Sequence, residues 1–424
     1  MTQADTYARE ARVSVYPFSR QAQAEDVVIG RVDTGVFLAL PAEAVELLDQ
    51  LSAGKTIGEV QDAYFSVHGE IPDMEGLLGY LEERGFVRVL APGEVAPEAA
   101  AFQPEPGQSG TRPANSLRYH FTNISPEFAR KLFGKPALAI YVAIVAAAGF
   151  AAWVHPSILP GPRALFFEEN ITFFALTLLV WGYSSLFFHE MGHLLAARAA
   201  GVDSRLGVGH RMWVLVAETD LTNLWSRPKQ DRYLPFLAGA IVDVVSASLV
   251  LLLLAAGQEG WIGLSPLIEQ LCRAIVFVYF LRLVWQCFFF VQTDFYYVLS
   301  TRFGCVNLLG DTETFLRNQL ARFTRLVKPR DQSMIPASEW RIIRIYSVVW
   351  VLGRILALAT LFTVTLPLLL LYSGMLAEAL RSGYSADPLH FLDVVLVSTF
   401  TLIPLVGGLC LWALSLYKGW RRLA

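Results

Sequence analysis

Apolar residues follow two regimes along this 424-residue chain. Between Val13 and Leu90 they recur at short periods, broken by glycine, proline and acidic residues. Beyond residue 136 they run in long stretches with very little charge. The first regime predicts a small α+β domain. Val13-Ser14-Val15-Tyr16 reads as a strand. Val27 to Arg31 and Gly35 to Leu40 flank Val32-Asp33-Thr34 as a hairpin, with glycine available for positive φ. Three helices follow from 3.6-residue spacing. The first runs from about Pro41, with Val45, Leu47, Leu48 and Leu51 inward, and stops at Gly54. The second opens at Thr56 with Glu59 three residues on, a capping box. The third starts near Asp73 and carries Leu77, Leu78 and Leu81. Phe86 to Leu90 closes the unit as a last strand.

The second regime holds six stretches long enough to cross about 30 Å of hydrocarbon: 137–154, 171–188 (its helix continuing to about 200), 234–256, 271–299, 345–372 and 392–417. Ala91 to Ser116 separates the regimes and carries Pro92, Pro97, Pro104, Pro106 and Pro113, an extended tether. The chain therefore divides into a domain over 1–95, a linker over 96–117 and a membrane body over 118–424. Phe121, Phe128, Leu132 and Phe133 interleaved with Arg130, Lys131 and Lys135 fit either an interfacial helix or an amphipathic connector. Loops 155–170, 257–266 and 373–391 hold only Arg163 and Arg381, whereas loops 198–233 and 300–344 and the tail hold nearly all the loop Lys and Arg. That bias predicts a multi-pass protein of the cell membrane with both termini and the basic loops in the cytoplasm. The polar start, Met1 to Tyr16, carries no apolar signal-peptide run, which agrees.

Composition supports this division. Hydrophobic residues make up 54% of the chain and charged residues 17%, which suits a polytopic membrane protein embedded in a lipid bilayer. Residues 1–100 hold 17 acidic and 7 basic side chains, a balance of −10 within a whole-chain charge of −3. So acidic a front disfavours phosphate contacts and excludes a nucleic-acid partner. Cys272, Cys287, Cys305 and Cys410 form no CxxC pair and read as packed, reduced thiols.

The chemistry concentrates where the second apolar stretch ends. His189-Glu190-Met191-Gly192-His193 places two imidazoles four residues apart on one helical face, able to bind one Zn²⁺. Glu190 lies on the next face, placed to deprotonate a water. A catalytic zinc needs a third ligand, and intramembrane acids are costly. Asp243 and Asp294 are the candidates. With both helices entering from outside, His189 lies roughly 27 Å down and Asp294 roughly 30 Å down at 1.5 Å per residue. Depth thus favours Asp294 as the ligand and leaves Asp243 either supporting a ligand or facing substrate. Arg282 and Arg354 each either pair with a buried acid, Asp243 foremost, or line a water-filled groove. His120, His155, His210 and His390 read as surface histidines. Leu206, Val208, Met212, Val214 and Val216 alternate as a strand does, and a strand there would offer an edge to an extended peptide; an amphipathic loop fits equally.

His189-Glu190-Met191-Gly192-His193, Ala238-Gly239-Ala240-Ile241-Val242-Asp243 and Thr293-Asp294-Phe295-Tyr296-Tyr297 together resemble the site-2 protease family of intramembrane zinc proteases, over residues 171–300, its three-span core. Within it the chain looks most like the branch of peptide zinc metalloproteases found beside genes for modified peptides. The resemblance implies zinc held by His189, His193 and Asp294, Glu190 as base, and Gly239 and Asp243 in substrate positioning. Two departures stand out. The usual Asp-Gly is Asp294-Phe295 here, and the usual Ala-Gly-Pro-x-x-Asn is Ala-Gly-Ala-x-x-Asp, so Asp243 replaces an amide. Residues 13–90 resemble PqqD-like winged-helix domains, which recognise leader peptides of ribosomally made, modified peptides. That resemblance implies a leader added as a strand along Val36, Phe37, Leu38 and Leu40, against the helix of Glu75 to Arg84.

The expectation is a membrane zinc endopeptidase acting on a peptide or protein precursor. Two other classes compete with it. A membrane-tethered winged-helix regulator conflicts with the acidic front, and a non-proteolytic peptide export or immunity protein has no use for an intact Glu190.

Overall fold

The computed structural model describes residues 7–23, 26–90, 118–119, 121, 124–165, 171–324, 327–332, 335–336, 338–384 and 388–421. The expected linker over 96–117 lies outside the described residues. The chain is mostly helical. In order it forms β1 (Val13–Val15), β2 (Ser19–Gln23), β3 (Asp26–Arg31), β4 (Val36–Pro41), α1 (Ala42–Ser52), α2 (Ile57–His68), α3 (Met74–Glu83) and β5 (Val87–Val89). There follow β6 (Arg118–Tyr119), α4 (Pro126–Phe133), α5 (Lys135–Val154), α6 (Ile171–Ala199), β7 (Arg205–Arg211) and β8 (Val214–Asp220). The rest is helical: α7 (Lys229–Gln258), α8 (Pro266–Gln286), α9 (Asp294–Phe303), α10 (Leu308–Phe323), α11 (Trp340–Thr360), α12 (Leu366–Ser382) and α13 (Pro388–Arg421).

The chain divides into two compact units, and the first joins Met1–Ala114 to Thr222–Arg232 and Ser300–Ser347. Here local sequence signals dictate local structure. Thr56 and Glu59 complete their reciprocal capping box at the start of α2, and Asp73 caps α3 through the Gly76 amide. β1 pairs antiparallel with β5, and β2, β3 and β4 form a meander in that order. One sheet face sends Ile29, Leu38 and Leu40 into a core with Leu48, Leu51, Leu78 and Leu81. The other face buries Val28 and Phe37 against Trp225, with Val306 beside them. Both faces are therefore covered, the second by segments far along the chain. Arg232, fully buried, stacks its guanidinium over Trp225 and donates to the Trp225 and Arg227 carbonyls and to Gln23.

A buried carboxyl, Glu339, and a half-buried one, Asp311, occupy the same unit. Glu339, 5% exposed, is pushed up to about 8 from an ordinary 4.5, first by burial and then by the charge of Asp311, with Asp26 adding to the rise and the Cys305 thiol opposing it. Asp311 is pushed up to about 6, again first by burial, against the pull of Asn307 and Arg84. Between these values and the ordinary carboxylate range the folded protein holds more protons than the unfolded chain, so stability falls as pH rises through that window. Glu339→Gln is expected to flatten the decline. Thermal unfolding of the full chain in detergent at about pH 5 and about pH 9 reads it, and equal slopes for variant and wild type would refute the assignment.

The second unit comprises Asn115–Leu221, Tyr233–Leu299 and Val348–Ala424. Four helical stretches are long and apolar enough to cross a membrane: Pro126–Val154, Lys229–Gln258, Trp340–Ser382 and Phe391–Lys418. The six expected are thus met in part. The third of these runs 43 residues, longer than the span read from sequence, through a π-helical turn at Leu361–Thr365 that joins α11 to α12. The expected span over 271–299 is not one helix. α8 ends at Gln286, Gln292 takes a left-handed φ of 56°, and α9 begins afresh at Asp294. Side chains make this break: Thr293 Oγ1 donates to the Gln286 carbonyl, and the Asp294 amide donates to Gln286 Oε1. In the amphipathic 118–135 segment Pro126–Phe133 forms a helix, and α5 begins at Lys135. Ala129 and Phe133 are buried, Phe133 in one cluster with Ala196 of α6 and Ala238 of α7. The alternating segment after α6 is a hairpin, β7 with β8, and Met212 sits in its turn at φ 55°.

Candidate metal centre

Three backbone elements of the second unit bring the site together. α6 carries His189 and His193 one turn apart, so both rings leave the same face. α7 lies against that face. α9 starts with Asp294, aimed back at the histidines, and the stacking of Tyr297 on Phe236 of α7, 5.3 Å between centroids, fixes its start. His189 Nε2 and His193 Nε2 are 3.2 Å apart, and each is 3.1 Å from Asp294 Oδ2. These three residues form a group able to hold a metal ion.

The other ring nitrogens decide what the group can bind. His193 Nδ1 is 2.8 Å from the Pro235 carbonyl, which can only accept, so this nitrogen carries a proton. His189 Nδ1 is 2.8 Å from Asp243 Oδ2, whose carboxylate also accepts from Arg282, so it donates as well. In the neutral rings both Nε2 atoms then present lone pairs toward Asp294. With both rings neutral, three acceptors within 3.2 Å of one another repel unless a cation stands among them. A tetrahedral ion with bonds of about 2.1 Å spaces its ligands by roughly 3.4 Å, so a slightly tighter triangle of this kind suits one. The histidine side chains are 4% and 3% exposed and that of Asp294 is 21%, which leaves the aspartate side of the triangle open.

Gly239 lies directly under the triangle. A Cβ there would stand 2.4 Å from both His189 Nε2 and His193 Nε2, so only glycine leaves the space vacant. Glu190 is buried, and Thr219 Oγ1 lies 2.8 Å from its Oε2 and 3.0 Å from its carbonyl oxygen. Thr219 belongs to β8, whose hairpin turn packs against α13: Trp213 meets Trp412 edge-on. β8 is the last strand of the β6–β7–β8 sheet, with no strand on its outer side among the described residues.

The sequence-predicted residues separate into two sets. The structure gathers His189, His193, Asp294, Gly239 and Asp243 around one point and sets Glu190 on the same helical turn. Asp243 is fully buried, with both oxygens engaged by His189 and Arg282. Val36, Phe37, Leu38 and Leu40 belong to the first unit. Phe37, Leu38 and Leu40 are buried there as packing residues, and β4 is an edge strand of its sheet among the described residues. All four cysteines are free thiols. Thr219 and Gln286 escape sequence reading altogether, because nothing local marks a threonine or glutamine whose partner lies on another element. The class these features define is a helical membrane protein with a buried two-histidine, one-aspartate ligand group. No family model, curated protein or solved structure matches the chain.

Proposed function

We propose that the chain is a membrane-embedded zinc endopeptidase with six spans and cytoplasmic termini, and that it matures a ribosomally made, modified peptide. The observation that carries the reading is the convergence of two imidazole nitrogens and one carboxylate oxygen beside an acid whose carboxylate is itself held in place. Two imidazoles and one carboxylate are the ligand number and type of a catalytic zinc, leaving a fourth position open. Zinc supplies Lewis acidity at the scissile carbonyl and lowers the pKa of water to about 7. Glu190 accepts the proton of the attacking water and delivers it to the leaving amine. Thr219 keeps the Glu190 carboxylate aimed through its hydroxyl. The outer edge of β8 suits an extended peptide, the form in which proteases take their substrates. In the first unit the β4 edge suits a leader peptide added as a strand.

The test uses the purified full-length chain in detergent, with one equivalent of zinc, and a quenched-fluorescent library of extended peptides. Hydrolysis that a chelator stops and zinc restores supports the reading. Zinc bound without hydrolysis, either of the library or of a co-expressed precursor encoded beside the gene, would favour an export or immunity role. Thr219→Val removes only the hydroxyl. It is expected to lower turnover about tenfold, the worth of one hydrogen bond to a charged group, with zinc content unchanged. Turnover equal to wild type would remove Thr219 from the machinery.

A further inference from the structure

The two histidines are buttressed differently. His193 leans on a neutral backbone carbonyl, that of Pro235. His189 leans on a carboxylate, and the carboxylate leans on a cation. Asp243 Oδ2 accepts from His189 Nδ1 at 2.8 Å, and Asp243 Oδ1 accepts from Arg282 Nη1 at 2.8 Å. Arg282 Nη2 then donates to Ser185 Oγ at 2.7 Å, and Ser185 stands one turn before His189 on the same helix. Ser185 in turn donates to the Gly182 carbonyl. The contacts close a ring through α6, α7 and α8 that begins and ends on the motif helix. Asp243 is fully buried and the Arg282 side chain 15% exposed, so the pair is largely shielded from solvent.

We propose that Asp243 and Arg282 are a charge-matched pair of positioning residues for the metal site. Asp243 fixes the His189 ring in the orientation and tautomer that turn Nε2 toward Asp294. Arg282 aims Asp243 and balances its charge. The pair also accounts for a departure in the sequence. Where the family that the chain resembles carries an amide, an acid appears here, and a carboxylate at that buried place needs the cation that α8 supplies. Such supporting groups set ligand orientation and basicity, and their loss weakens metal binding by about 10–100-fold. The inference rests on the metal reading of the site and not on proteolysis.

The experiment measures zinc affinity of the full-length protein in detergent by chelator competition, together with the visible spectrum of the Co²⁺-substituted form. Asp243→Asn and Arg282→Gln are each expected to weaken zinc binding by about 10–100-fold and to shift the Co²⁺ bands. The double variant, which replaces the ion pair with a neutral amide pair, is expected to bind no worse than either single. Asp243→Glu keeps the charge and displaces it by one methylene. It provides a folded comparison should the amides compromise expression, and its Co²⁺ spectrum is expected to shift too. Wild-type affinity and spectrum in Asp243→Asn or Asp243→Glu would overturn the positioning role. Losses that multiply in the double variant would overturn the pairing. A wild-type protein that binds neither ion would instead refute the metal reading itself, before any variant is compared.

Discussion

Gly239→Ala is expected to abolish metal binding while leaving the helices folded. The added methyl would stand 2.4 Å from both Nε2 atoms and 2.6 Å from His189 Cε1. That is close to bonding distance from each nitrogen, so the methyl occupies the space a cation would take. The rings cannot turn aside without releasing Asp243 and the Pro235 carbonyl, to which their Nδ1 atoms are tied. Alanine is the better helix former by roughly 1 kcal/mol, so α7 itself has no reason to unwind. Elemental analysis of purified protein should fall from one zinc per chain to nearly none, with the helical circular-dichroism signal retained. A full equivalent of zinc in the variant would show that the ion, if bound, is held elsewhere.

Glu190→Gln is expected to separate binding from chemistry. Glutamine keeps the shape and can still meet Thr219 through its amide, so zinc content should match the wild type. It cannot accept a proton, and loss of a general base typically costs 10²–10⁴-fold in rate. Hydrolysis of the peptide library within a few-fold of wild type would remove Glu190 as the base and leave the site a binding centre.

Much of this was legible because its signals are local. The α2 capping box needs only Thr56 and Glu59, and the histidine pair needs only a spacing of four on a helix. β2 was not legible, because Ser19–Gln23 reads Ser-Arg-Gln-Ala-Gln and shows no apolar face. Asp294, which the structure does bring to the two histidines, was reached through an incorrect element. Depth along one continuous helix pointed to it, yet α8 stops at Gln286 and Asp294 opens the next helix. What stops α8 is the choice of hydrogen-bond partners by Gln286 and Thr293, and apolar periodicity carries no trace of that choice. Sequence leaves Arg282 either pairing with a buried acid or lining a water-filled groove, and the structure pairs it with Asp243. Its second donor, to Ser185, follows only from three helices meeting. The covering of Val28 and Phe37 by Trp225 and Val306 likewise depends on segments nearly two hundred residues or more away.

The hairpin contact on α13 gives two distant parts of the chain a common fate. A Cβ on Gly408 would meet the Trp213 carbonyl oxygen at 2.0 Å, so any larger residue at 408 must displace the hairpin turn. β8 runs from that turn to Thr219, and Thr219 holds Glu190. A change in the last helix, chemically inert and more than two hundred positions from the acid, would thus be felt as a displaced Glu190 carboxylate. Positions 213, 408 and 412 thus form one packing unit, in which a change at any one is expected to shift the other two.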